Sequence, residues 1–149
     1  MYIRGGAGTA EKTVDRWCCD NALQYALAGY SAAWRFAPEV LYTVASVYLE
    51  DGGFDPRLLD ILDVEYGAKR VNTGPNLYLW RPFDRSVFTG RVSVNPPDPP
   101  VTSALQTYLD LKQAGGRGED AANAVFEKHL RHDLQAVEKR EEERNRGRA

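Results

Sequence analysis

Four charged residues lie close enough in the chain to suggest chemistry: Asp60, Asp63, Glu65 and Lys69. Carboxylates converging on a divalent cation, with a lysine to offset developing charge, are what a metal-dependent nuclease or transferase needs. Asp60, Asp63 and Glu65 are instead spaced for the polar side of one helix, so a solvated surface is the expected setting. A nucleotidyltransferase would want a Gly-Ser loop and two carboxylates alternating on a strand, and the sequence offers no such strand. His129 and His132 are the only histidines, and a lone pair three residues apart makes no zinc site without further ligands. In GGAGTAEK, Gly8 is followed by Thr9 and Ala10, not by the Lys-Ser/Thr pair of a phosphate-binding loop. No Gly-x-Ser-x-Gly element is present. Cys18, beside Trp17 on an apolar face, reads as a small buried hydrophobe. These patterns lead us to expect no catalytic residues, no metal and no cofactor.

Binding chemistry is better represented. Arg81, Arg85 and Arg91 alternate with Trp80, Phe83 and Phe88, and positive charge beside aromatic faces suits single-stranded nucleic acid or a phosphate-rich partner. Arg117 stands in the GGRGE turn, where a guanidinium fork can grip a carboxylate or phosphate in bidentate fashion. The competing use of the same residues is to cover a core with their stems, or to tie a turn to a neighbour.

The elements that must position these groups follow from periodicity. Val14, Trp17 and Cys18 predict a short helix over residues 10–19, with Thr9 as its cap. Leu23, Leu27, Tyr30 and Trp34 predict a longer one over 21–36, capped by Asp20 and ended before Pro38. Small residues on its other side, from Ala22 to Ala33, suit close packing on a sheet. Residues 41–50 alternate, with both faces apolar or aromatic, as a central strand does. Asp55 and Pro56 open a helix to about Tyr66, with Leu58, Leu59, Ile61 and Leu62 inward. Residues 68–72 and 76–80 read as a hairpin around Thr73-Gly74-Pro75. Phe83, Val87 and Phe88 suggest one helical turn, followed by a strand over 90–94 and a stiff proline connector over 95–100.

The most defined stretch is Val101 to Ala122. Ser103 and Gln106 have capping-box spacing, Leu105, Tyr108 and Leu109 form a stripe of helical period, and Gly115 and Gly116 end the helix. Glu119 and Asp120 favour the start of the next helix. Its apolar stripe of Ala122, Val125, Phe126, Leu130, Leu134 and Val137 is followed by a charged, solvated helical tail with weak i, i+4 pairs. The expected fold class is α+β or α/β: a small mixed sheet covered by helices, with a C-terminal helical pair and an extended helical tail. The expected divisions are a flexible lead-in over residues 1–9, one domain over 10–137 and the tail over 138–149.

Composition sets the outer limits. The 149 residues are 43% hydrophobic, enough for one core. Nineteen basic against 21 acidic residues leave a net charge of −2, which gives no general attraction to nucleic acid or an anionic membrane. No apolar run is long enough to span a bilayer and no leader is evident, while the adjacent Cys18 and Cys19 build no disulfide framework. A cytoplasmic protein with no membrane partner is the expectation.

The stretch containing Val101-Thr102-Ser103, Gln106, YLDL (Tyr108 to Leu111) and GGRGE (Gly115 to Glu119) resembles the C-terminal part of the AbiEi-type antitoxins of type IV toxin–antitoxin systems. YALAGYSAAWRFAP, LYTVASVYLE, NTGPNLYLWRPFD and SVFTG fall in the order of that family, so the resemblance covers roughly residues 25–130. It implies a non-catalytic antitoxin and transcriptional regulator of abortive infection and phage defence. Its partner would be a cognate nucleotidyltransferase-like toxin, or that toxin's target. The family-typical polar positions are Gln106, Tyr108, Asp110 and Arg117, with Tyr30, Ser31 and Trp34 on the upstream helix. Such proteins usually begin with a winged helix-turn-helix, for which this chain has no room, so DNA binding would need another surface.

Overall fold

The computed structural model describes residues 1–148; Ala149, the last residue of the expected tail, lies outside them. Helix α1 (Ala7–Asp20) buries Val14, Trp17 and Cys18 as their spacing predicts. It starts two residues before Thr9 and has no side-chain cap; the Thr9 carbonyl instead accepts a hydrogen bond from the Thr13 hydroxyl.

The predicted 21–36 helix is overturned: this stretch is a strand, β1 (Tyr25–Leu27), followed by a shorter helix, α2 (Gly29–Phe36). The reason lies at the end of α1. Leu23 N–H bonds the Cys18 carbonyl and Ala22 N–H that of Cys19, with Ala22 at φ 53°. This is a Schellman closure with alanine where glycine is usual, so the sequence carries no visible stop. A second left-handed residue, Gly29 at φ 53°, then turns the chain from strand to helix.

Strand β2 (Ala45–Leu49) is central and wholly buried, as expected of a strand apolar on both faces. It is shorter than the alternation suggests, since Leu41 is 72% exposed and only Ala45 onward finds a neighbouring strand. Helix α3 (Pro56–Val64) has the predicted start, with Asp55 accepting from Arg57 N–H and Pro56 in the first turn; of its apolar residues Leu62 is fully buried. The expected hairpin does not form. Strand β3 (Leu77–Trp80) pairs parallel with β2, Ala45 opposite Leu77 and Tyr48 opposite Trp80, and α3 supplies the crossover that parallel pairing requires.

Lys69 instead bridges antiparallel to Tyr2, and the Asn76 side chain holds both the N–H and the carbonyl of Ile3. Residues 1–3, read as part of a flexible lead-in, are thus bonded to the sheet edge. The sheet order is β1-β2-β3, with β1 antiparallel to β2. Arg85–Phe88 forms the expected single turn, of 3-10 type, and the predicted strand over 90–94 reduces to one bridge, Val92 with Val101.

Helix α4 (Ala104–Ala114) begins where Ser103 Oγ accepts from Gln106 N–H at 3.1 Å. The reciprocal half of the capping box is absent, because the Gln106 amide turns to Asp110. The predicted stripe is also overturned: Leu105 and Leu109 are 57% and 51% exposed, and the buried positions are Thr107 and Leu111. Thr107 can be buried because its hydroxyl and that of Thr102 bond each other at 2.8 Å, a polar pair that hides the inward face from a hydrophobicity pattern.

Gly115 and Gly116, at φ 67° and 54°, make the elbow to α5 (Arg117–Val125), with Glu119 and Asp120 in its first turn. One π-type turn, Phe126–Leu130, leads to α6 (Arg131–Arg146), where Leu134 and Val137 are half exposed. Gly118 sets the closeness of the elbow: a Cβ there would lie 2.6 Å from the Leu111 carbonyl oxygen. Gly118→Ala is therefore expected to destabilise by about 1–3 kcal/mol, since backbone rather than a flexible side chain must yield. Urea unfolding measures this, and an unchanged midpoint would show that α4 and α5 can separate freely.

The fold class is α+β, a small mixed sheet with helices around it. Alternate side chains of β2 divide its surroundings. Ala45, Val47 and Leu49 join Val14 and Trp17 of α1 and Leu62 of α3 in the main core. Ser46 and Tyr48 point to the other side, where α2, β3 and α4 meet.

Candidate recognition cleft

Parallel register puts Trp80 beside Tyr48, their rings edge to face at 5.3 Å, and Tyr78 beside Ser46. Gly29 leaves space over this surface: a Cβ would come within 3.3 Å of the Trp80 ring. From the opposite wall α4 brings Asp110. Its Oδ1 accepts from the Tyr48 hydroxyl at 3.0 Å and from Gln106 Nε2 at 2.9 Å. Its Oδ2 is buried and has no hydrogen-bond partner within the protein. Between these walls lies a cavity of about 210 Å³, lined also by Tyr30, Val44, Leu111 and Ala114.

Burial pushes the Asp110 carboxyl above the ordinary carboxylate range, against the hydrogen bonds from Gln106 and Tyr48, which pull it down. Burial likewise raises the Tyr48 phenol, aided by the Asp110 charge, so Tyr48 stays a donor. The second oxygen is enclosed by protein atoms, and the recess beside it presents mainly apolar and aromatic surface.

Tyr30 and Val44 also line a second hollow of about 170 Å³ with Leu41, Tyr42 and Arg117. Arg117 is exposed and donates from Nη2 to the Leu41 carbonyl at 3.1 Å. Tyr30 and Val44 thus border both hollows, one of which is lined by Asp110 and the other by Arg117, while Gln106 reaches Asp110 by its hydrogen bond.

Other expected positions go elsewhere. Ser31 is fully buried, its Oγ accepting from Ser46 N–H at 3.2 Å, and so joins α2 to β2. Tyr108 packs on Phe126, ring centroids 5.6 Å apart. Trp34 lies against Tyr42 and lines a hollow together with the buried Glu11–Arg35 ion pair. There Arg35 Nη2 meets Glu11 Oε2 at 2.6 Å, the Tyr42 hydroxyl donates to Glu11 Oε1 at 2.7 Å, and Arg35 also donates to Tyr42.

Arg81 sits 3.4 Å from Asp51 and over the Phe54 ring, and Arg91 donates to the Tyr25 carbonyl at 3.0 Å. Arg85 has no ion pair or hydrogen bond to another side chain among the described residues. Asp63 pairs with Lys69, while Asp60 and Glu65 are exposed; the described residues contain no group of three His, Cys, Asp or Glu placed to hold a metal ion. His129 bonds the Phe36 carbonyl at 2.7 Å and lies edge-on to its ring.

Gly29 and Tyr78 line the cleft and Tyr48 supports it from beneath Trp80 and Asp110, although none of the three was singled out as a site residue. One signal was available: a tyrosine on a strand buried on both faces needs a partner for its hydroxyl.

The fold and the cleft describe an α+β module that offers a largely apolar, partly aromatic recess with Asp110 among its walls. A family model described as transcriptional regulator, AbiEi antitoxin, type IV toxin–antitoxin system matches residues 7–131. The chain belongs to that family of antitoxins and regulators. No curated protein and no solved structure matches it. Among the described residues no helix is long and apolar enough to cross a membrane.

Proposed function

We propose that this chain is a non-catalytic antitoxin that counteracts a nucleotidyltransferase-like toxin in an abortive-infection system, and that its working surface is the face running from Asp110 past Tyr30 to Arg117. The observation that carries this reading is a recess lined by Tyr30 and Asp110 in which one buried Asp110 oxygen is left without a donor, since native folds seldom leave a buried carboxylate oxygen unpaired. Family membership supplies the toxin context; the toxin's chemistry is part of the proposal. Co-expression with the product of the adjacent reading frame tests it, with restored growth as the expected result. Arg117→Ala should weaken rescue while the melting temperature stays within a few degrees, because the exposed guanidinium makes a single peripheral hydrogen bond. Unfolding of that variant would instead make Arg117 a structural tie.

A second reading is nucleic-acid binding by the arginine and aromatic segment, consistent with the regulator half of the family description. Phe83, 74% exposed, and Arg85 favour it. Arg81 and Arg91 count against it, because both already have intramolecular partners. A salt-sensitive mobility shift that Arg85→Ala weakens would bring this reading forward. An undetectable shift would remove it.

A further inference from the structure

The sheet ends at β3 in an edge that is only half closed. Where β3 pairs with β2, Ala45 lies opposite Leu77 and donates to the Asn76 carbonyl at 2.9 Å, so Tyr78 and Trp80 turn their main-chain groups toward β2 and the residues alternating with them turn theirs outward. The outward groups of Leu77 are used. Its N–H donates to the Met1 carbonyl at 3.1 Å, and its carbonyl accepts from the Met1 amino group at 2.9 Å. Those of Leu79 have no hydrogen-bond partner among the described residues. Pro82 disfavours helical geometry at Arg81, so the alternation runs on to Arg81, whose main-chain groups are unpartnered as well.

Unpaired donors and acceptors at strand spacing select an extended main chain as their complement, which is how sheet edges recruit further strands. The exposed side chains along this edge say which chain. Tyr78 is 48% exposed at one end and Phe83 74% exposed at the other. An antiparallel copy of the same segment reverses that order and brings the Phe83 of each chain next to the Tyr78 of the other, the self-complementarity that a twofold interface requires. Met1 sets the register. Pairing centred on Leu79 would drive Arg81 of the second copy into the place that Met1 holds beside Leu77. Moving the centre to Trp80 avoids this and sets Leu79 opposite Arg81 in both directions, so that every free outward group finds a partner.

We propose that β3 pairs antiparallel with β3 of a second copy of this chain across a twofold axis at Trp80, the main chains of Leu79 and Arg81 exchanging hydrogen bonds in both directions and joining the two three-stranded sheets into one. The paired segment is short, so the interface falls at the low end of specific contacts, below about 1,200 Å². The dimer therefore dissociates on dilution. The proposal does not depend on the antitoxin reading, which growth rescue tests separately.

The test is sedimentation velocity of the full chain over a concentration series under reducing conditions, with Arg81→Ala and Arg81→Pro alongside. Both variants lose the guanidinium and its ion pair with Asp51, but only the proline also loses the outward N–H, which no bond within the chain uses. The expected result is a dimer that grows with concentration in the wild type and in Arg81→Ala, and association weakened at least about tenfold in Arg81→Pro, with all three melting cooperatively. Amide exchange followed by NMR on the wild type reads the register without any substitution. Exchange at Leu79 and Arg81 should slow as concentration rises, while exchange at Tyr78, which faces β2, stays constant. A wild-type monomer up to about 1 millimolar, association lost equally in Arg81→Ala, a dimer undiminished in Arg81→Pro, or exchange at Leu79 that ignores concentration would each overturn the proposal. Slowing at Leu79 only when a different protein is added would overturn it too, and would give the edge to a strand of that protein.

Discussion

Arg35→Met is expected to destabilise the protein by about 3–5 kcal/mol, the cost of leaving a buried charge without its partner. The Glu11 side chain is 1% exposed and that of Arg35 14%, so Glu11 has no water to turn to when the guanidinium is removed. Its remaining hydrogen bond, from Tyr42, satisfies one oxygen but not the charge. The same arithmetic predicts that replacing the network as a unit, Glu11→Leu with Arg35→Met and Tyr42→Phe, recovers most of the loss, because desolvation of both ions disappears along with their attraction. Urea unfolding of the single and combined variants measures both effects. A single-variant loss below about 1 kcal/mol, typical of solvent-exposed pairs, would show that water reaches Glu11 and that this network does not hold α1 to α2.

The second large effect concerns Asp110, where stability and function should move in opposite directions. Asp110→Asn is expected to abolish growth rescue while leaving the protein as stable as the wild type at pH 7, or more stable. The carboxyl is pushed up by burial, so its charged form is disfavoured in the folded state. For an acid whose folded pKa is raised, the folded protein binds the proton more tightly than the unfolded chain does. The destabilising contribution is then fully present above the folded pKa and fades as pH falls towards the unfolded value of about 3.9. The stability advantage of the asparagine variant should accordingly be greatest at neutral pH and shrink on acidification. A variant that unfolds at pH 7 would mean instead that Asp110 is a structural acceptor for Tyr48 and Gln106 and nothing more.

That contrast explains which parts of the molecule were legible in the sequence. Helix α1, the Asp55–Pro56 start of α3 and the Gly115–Gly116 elbow were readable because each is specified locally, by periodicity, a cap or a left-handed glycine. The break at Ala22 was hidden because alanine occupies a conformation that glycine normally announces. The parallel pairing of β3 was missed because Tyr2 and Asn76, far apart in the chain, decide what residues 69–77 bond to, and no local pattern records that. On α4 the Thr102–Thr107 pair reversed the apparent faces, sending Leu105 and Leu109 outward.

The candidate site divides in the same way. Family resemblance gave Tyr30, Gln106, Asp110 and Arg117 as separate positions, and folding puts Tyr30 at the border of two hollows that Asp110 and Arg117 line in turn. Trp80 was noted only as a neighbour of the arginines, and its place beside Tyr48 comes from strand register, which the hairpin expectation had wrong. Ser31 and Tyr108 were named as family-typical positions through the resemblance, and in the fold the first joins α2 to β2 and the second packs on Phe126.

The most direct test of the account is growth rescue scored side by side for the wild-type chain and Asp110→Asn, each co-expressed with the product of the adjacent reading frame when that product alone arrests growth. The expected result is survival with the wild type and arrest with the variant, at equal levels of folded protein. Equal survival with both would contradict the assignment of the Asp110 face, and arrest with both would contradict the antitoxin function itself.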